Sequence, residues 1–149
     1  MTTRQVTLIL GIILVVGCCD GGSGGVSDTR SRLAAAVASG ATSFDFADDP
    51  AFKWDRMYVF GCYSNRASVE RALGFQWPDY TNTTIESSDS VVLVVFVKSE
   101  QVVAWYEQPQ SIELGWLAND KGYSRSEAQF RVDRSGGRIA LKPQTSPSL

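Results

Sequence analysis

Val91–Val97, VVLVVFV, followed across Lys98-Ser99-Glu100-Gln101 by Val102–Tyr106, VVAWY, decides the fold. An unbroken apolar run has no polar face to turn toward water, so the first stretch is expected to be a strand covered on both sides. Its β-branched valines suit an extended backbone. The second run matches the first across a short polar link, and the pair predicts a central antiparallel hairpin.

Moving outward, Ala128, Phe130 and Val132 alternate with Gln129 and Arg131, the period of a half-exposed strand. Ser135-Gly136-Gly137 then turns the chain into Ile139-Ala140-Leu141, which predicts a second hairpin. Upstream, Met57 to Phe60 reads as a buried strand ended by Gly61. Ser64 or Asn65 then caps a helix with Val69, Ala72 and Leu73 on one face and Gly74 as its stop. Asp28-Thr29 predicts the cap of another helix, Arg30 to Ser39, with Leu33, Ala36 and Val37 on one face and Gly40 at its end. The segment Phe44-Asp45-Phe46-Ala47-Asp48-Asp49-Pro50 is turn-rich. Its aspartates lack the alternating spacing, central glycine and terminal glutamate of a calcium loop, so caps and turns explain them. Thr81 to Ser90 reads as a polar surface loop. The fold class these elements predict is α+β: a small antiparallel sheet of about four to six strands with one or two packed helices.

A chain of 149 residues, 44% hydrophobic and 20% charged, holds one body with appendages. There are 14 Lys and Arg against 16 Asp and Glu. Such a balance gives no electrostatic reason to expect nucleic acid. With no histidine anywhere, His-ligated metals and Ser-His-Asp or Cys-His catalysis are disfavoured. No cofactor or metal ligand set is recognisable.

The amino terminus carries a different message. Arg4 precedes the apolar stretch Val6 to Val16, VTLILGIILVV, which is the pattern of a secretory signal. The run is shorter than the roughly 20 apolar residues of a membrane span. Val15-Val16-Gly17-Cys18 resembles the bacterial lipobox, which implies cleavage after residue 17 and lipid attachment at Cys18. The alternatives are an ordinary signal peptide cut near Gly17 and an uncleaved short anchor. The expected organisation is a signal peptide over 1–17, a lipidated cysteine with a Gly/Ser-rich tether over 18–28, a single globular α+β domain over 29–143 and a flexible tail over 144–149. The tether composition, Gly21-Gly22-Ser23-Gly24-Gly25, buries nothing and lacks the strand and Lys-Ser/Thr of a phosphate loop. Cys19 rather than Asp follows Cys18, which mildly favours the outer membrane over the inner one.

The body itself resembles an uncharacterised family of small bacterial lipoproteins. The resemblance rests on Trp54-Asp55, Tyr58-Val59-Phe60-Gly61, Tyr63-Ser64, Leu73-Gly74-Phe75 and Trp77-Pro78, and spans roughly residues 52–132. Its departure is Cys62, where that pattern leads one to expect proline. The family brings no established activity; it implies location and fold. A looser architectural likeness is to the small lipoproteins of the outer-membrane barrel-assembly machinery.

Three groups of residues are candidates for chemistry or recognition. Cys62 lacks a histidine to activate it and is expected to be a buried thiol or a disulfide partner of Cys19. Asp55, Glu70, Glu86, Glu107 and Glu113 could supply carboxylate catalysis, but no spacing selects a pair, and surface or capping roles account for them. Of four tryptophans, Trp54 and Trp105 are expected in the core, while Trp77 and Trp116 fall in predicted loops and are the candidates for a partner surface. The resulting expectation is a lipid-anchored cell-envelope protein at the cell membrane or outer membrane. Its body, outside the cytoplasm, would bind an envelope protein or cell-wall glycan. The alternative is a small envelope hydrolase using Asp and Glu carboxylates.

Overall fold

Helix α1 (Ser23–Ala38) opens the computed structural model, which describes residues 23–144. It is followed by β1 (Ser43–Asp45), β2 (Arg56–Phe60), α2 (Arg66–Leu73), β3 (Val91–Lys98) and β4 (Gln101–Pro109). The short strands β5 (Ile112–Glu113) and β6 (Tyr123–Ser124) and the hairpin β7 (Gln129–Asp133) and β8 (Ile139–Pro143) complete the α+β fold. The strands form two four-stranded sheets, β4-β3-β2-β6 and β1-β7-β8-β5, rather than one. Pairing is antiparallel except between β5 and β8. The predicted signal peptide, Cys18, Cys19 and residues 145–149 of the predicted tail lie outside the described residues. No helix among the described residues is long and apolar enough to cross a membrane.

The continuous apolar run of β3 has the expected cause. Val92, Val94 and Phe96 join one buried cluster with Leu33 of α1, Trp54, Met57 and, from the second sheet, Phe130 and Leu141. Leu93, Val95 and Val97 point the other way, into a cluster with Val69 and Leu73 of α2 and with Trp77, Tyr80 and Ile85. The central sheet is thus sandwiched: the second sheet and α1 cover one face, and α2 with the segment after it covers the other. Burial of both faces gives β3 its driving force, about 1.5–3 kcal/mol for each large apolar side chain.

Several local signals act as predicted. Asn65 is the cap of α2, its Oδ1 accepting the Ser68 N–H at 2.9 Å, and Gly74 ends the helix in the left-handed region at φ 84°. Gly40 closes α1 in the same way. The β3–β4 link is a two-residue turn, because Lys98 pairs with Gln101. Ser99 and Glu100 both take positive φ there, at 48° and 59°. Asp55 clasps this turn by accepting the Ser99 N–H at 3.2 Å and donating its own N–H to Val97 at 2.8 Å. The Trp54-Asp55 pair therefore has a structural explanation: Trp54 is buried against Phe96, and Asp55 holds the hairpin.

Other expectations change. Helix α1 begins at Ser23, not at the Asp28-Thr29 cap, so residues 23–28 of the expected tether are helical. Thr29 is buried, and its hydroxyl donates to the Asp49 carboxylate instead of serving as a cap. Arg32 pairs with the same carboxylate at 3.3 Å. These contacts fix the helix from the side, and propagation then adds one hydrogen bond per residue toward the amino end. The segment read as turns begins within β1, which pairs with β7. Asp45 does cap the following turn, accepting the Ala47 N–H at 2.7 Å. The Thr81–Ser90 loop is polar on its surface but drives Ile85, fully buried, into the α2-side core.

Candidate binding site around Trp116

Leu114, Gly115, Trp116 and Leu117 form a tight bend after β5. A 3₁₀ turn over Gly115–Leu117 brings Leu114 and Leu117 onto one side, since positions three apart eclipse one another. Both leucines are fully buried, and Trp116, on the opposite side, is 62% exposed. The bend is tied down: the Leu117 carbonyl accepts from the Tyr123 hydroxyl at 2.8 Å and the Asn119 amide at 3.1 Å. An exposed indole is thereby presented on an anchored support.

Two hollows adjoin it. The larger, about 310 Å³, lies where edge strand β5 parts from the ends of β2 and β3; Gly61, Cys62, Val92, Gln110, Ile112, Leu114 and Gly115 line it with Glu113 and Trp116. The smaller, about 210 Å³, is bounded by Asp133, Ser135, Gly136, Arg138, Ala140 and Lys142, again with Glu113 and Trp116. Trp116 and Glu113 are common to both.

The charges around these hollows are matched. Glu113 Oε1 meets Arg138 Nη1 at 3.1 Å, and Asp133 Oδ2 meets Lys142 Nζ at 2.6 Å. The Lys142 ammonium and the Ser135 hydroxyl and N–H hold the Asp133 carboxyl well below the usual carboxylate range. Lys142 Nζ also lies 5.0 Å from the centre of the Trp116 ring, a cation–π contact that braces the indole.

Cys62 is half-buried and has no disulfide partner among the described residues. Its sulfur lies 3.2 Å from the Val91 carbonyl and 3.4 Å from that of Asp89, and accepts the Gln110 amide at 3.3 Å. The other candidate for disulfide pairing, Cys19, is not among the described residues. Tyr63, next to Cys62, is 61% exposed and sits at φ 61°, an uncommon conformation for an aromatic residue. Tyr63 and Trp116 are the exposed large hydrophobic side chains among the described residues.

The tryptophans divide differently from expectation. Trp77 is not a surface residue: it is 3% exposed and packs edge-on against Trp105 at 5.7 Å and Tyr80 at 6.2 Å between ring centres. Pro78 starts a 3₁₀ turn, Pro78–Asn82, that folds Tyr80 and Trp77 back over the sheet. Trp105, in β4, is only half-buried. Trp116 alone of the two predicted surface indoles is exposed.

Each of the five carboxylates singled out in the sequence has a partner. Besides Asp55 and Glu113, Glu70 accepts the Trp77 N–H at 2.9 Å, Glu86 the Tyr80 hydroxyl at 3.2 Å and Glu107 the Thr84 hydroxyl at 2.9 Å. These contacts brace loops against the sheet. Gln110 and the hollow itself carried no signal in the sequence, because β5 is two residues long and its parallel pairing with β8 is non-local. Its position in a predicted loop pointed to Trp116 as exposed, and the burial of Leu114 and Leu117 on either side of it gives the physical reason. Comparison with protein-family models, characterised proteins and solved structures finds no match to this chain.

Proposed function

We propose that this chain is a lipid-anchored cell-envelope protein, attached through Cys18 at the cell membrane or outer membrane, whose body binds another envelope component at Trp116. Two or more acyl chains hold a protein at a bilayer stably, whereas one does so marginally. Confinement to a surface raises the effective concentration of the site toward anything else held there. The observation that carries the binding reading is the 62% exposure of Trp116 on a bend whose neighbours Leu114 and Leu117 are fully buried. Exposed, rigidly supported indoles are favoured in recognition, since they offer a large apolar area at small entropic cost. The alternative of a carboxylate hydrolase draws less support. The two carboxylates that line the smaller hollow, Glu113 and Asp133, are each ion-paired, with Arg138 and Lys142, instead of facing one another as an acid and base pair.

The test is photo-crosslinking in intact cells, with the reactive side chain placed at position 116 and, as a control, at exposed Thr81. The expected result is a discrete adduct at 116 but not at 81, lost when Cys18→Ser releases the protein from the membrane fraction. Equal adducts at both positions would overturn the Trp116 reading. An unchanged membrane fraction for Cys18→Ser would overturn the anchor.

A further inference from the structure

We infer that the surface divided by Trp116 takes a neutral glycan, with one pyranose ring in the larger hollow and the adjoining ring over the smaller one. The inference rests on Trp116 being the binding surface and names what binds there.

Size is the first reason. At about 310 Å³ the larger hollow is at the small end of ligand pockets, which run from about 300 to 1,000 Å³. It suits one ring-sized group. A second hollow of about 210 Å³ shares Trp116 and Glu113 with the first, so successive units of a linear chain could occupy both.

Charge is the second. Glu113 is paired with Arg138, and Asp133 with Lys142, so neither hollow presents an unmatched charge for a phosphate, a carboxylate or a basic side chain. What is left is apolar and hydrogen-bonding surface. Ile112 and Leu114 supply a carbon wall, and Gln110 and Glu113 supply amide and carboxylate groups beside it. A pyranose has the same two-sided character, with C–H groups on its ring faces and hydroxyls at its rim. Lys142 lies over the indole ring, and at 62% exposure Trp116 still offers indole surface for a sugar ring to pack on.

The fold also argues against an extended peptide. A peptide would dock at the hollow by adding to the edge of β5, but that strand has only two residues, Ile112 and Glu113. So short an edge offers too few backbone groups for strand addition to supply affinity.

The test uses the full-length chain in detergent, titrated by calorimetry with neutral tetrasaccharides, β-1,4-linked N-acetylglucosamine and cellotetraose. The expected result is saturable binding of at least one of them, changed little by raising the salt concentration and weakened about tenfold or more in Trp116→Ala. A second readout follows alkylation of Cys62, located by mass spectrometry: bound sugar should slow it several-fold in the wild type and not in Trp116→Ala. Thermal unfolding of Trp116→Ala confirms that the variant is folded. Failure of both sugars to bind, or equal binding by Trp116→Ala, would overturn the glycan inference. If position 116 still crosslinks to a protein in cells, the binding-surface reading survives that failure; if it does not, both fall.

Discussion

Gly122 illustrates how a single residue joins two parts of the fold. It leads into β6, has φ +64°, and approaches β2 so closely that a Cβ would stand 2.7 Å from the Met57 carbonyl oxygen and 2.9 Å from the Tyr58 ring. An alanine there meets both a strained backbone and an occupied space. Gly122→Ala is expected to destabilise the protein by about 2–4 kcal/mol, whereas Gly136→Ala, whose Cβ would meet nothing within 4 Å, should be near neutral. Urea unfolding of the two variants side by side checks this. At this scale the sequence was partly legible. Asn65, Gly40 and Gly74 announce themselves because capping is decided within a few residues. Trp77 does not: a loop position suggests exposure, but the large apolar area of an indole favours burial wherever the chain can fold back, as it does at Pro78. For the candidate site, Trp116 was legible and its surroundings were not.

Among the elements, β3 is the most readable, because burial on both faces leaves a mark in composition alone. Helix α2 is nearly as clear. The strands β1, β5 and β6 are two or three residues long and exist only through partners distant in sequence, so no local pattern could reveal them. Helix α1 is an intermediate case: its buried face was evident from Leu33, Ala36 and Val37, but Thr29, expected at its cap, lies inside it and bonds to Asp49, twenty residues away. The β3–β4 hairpin carries a testable cost. Two-residue turns with positive φ at both positions favour Asn-Gly, and here they hold Ser99 and Glu100. Replacing Ser99-Glu100 with Asn-Gly should raise stability by about 1 kcal/mol, since the Asp55 contact is to the backbone N–H and is retained. The shift in chemical-denaturation midpoint gives the answer.

For the whole molecule, the two cores on either side of the central sheet make stability depend on buried phenols. Burial, with the Glu86 carboxylate adding to it, raises Tyr80 from its ordinary value near 10 to about 12. Burial also raises Tyr106, on the other face. The folded chain keeps these protons at a pH where the unfolded chain releases them. The Tyr80 contribution is therefore complete below pH 10 and is lost as the pH rises toward about 12. Thermal midpoints should fall across this window, and Tyr80→Phe should fall less steeply than the wild type; an identical slope would show that Tyr80 plays no part. That the strands would divide into two sheets was not legible, because the patterns identify strands but not which sheet each joins. The choice is made by packing between residues as distant as Leu33, Phe96 and Leu141.

The attachment of α1 has a mechanical consequence. A pull on the amino end of the helix is transmitted sideways into Asp49 through Thr29 and Arg32, and into the core through Leu33. Leu33 shares its core with Leu114 and Leu117, while the bend that carries Trp116 has its own ties to Tyr123 and Asn119. Under the proposed anchoring the helix would act as a stiff handle: load on its amino end would enter the body along one buried face, through Asp49 and the core, rather than at a loop.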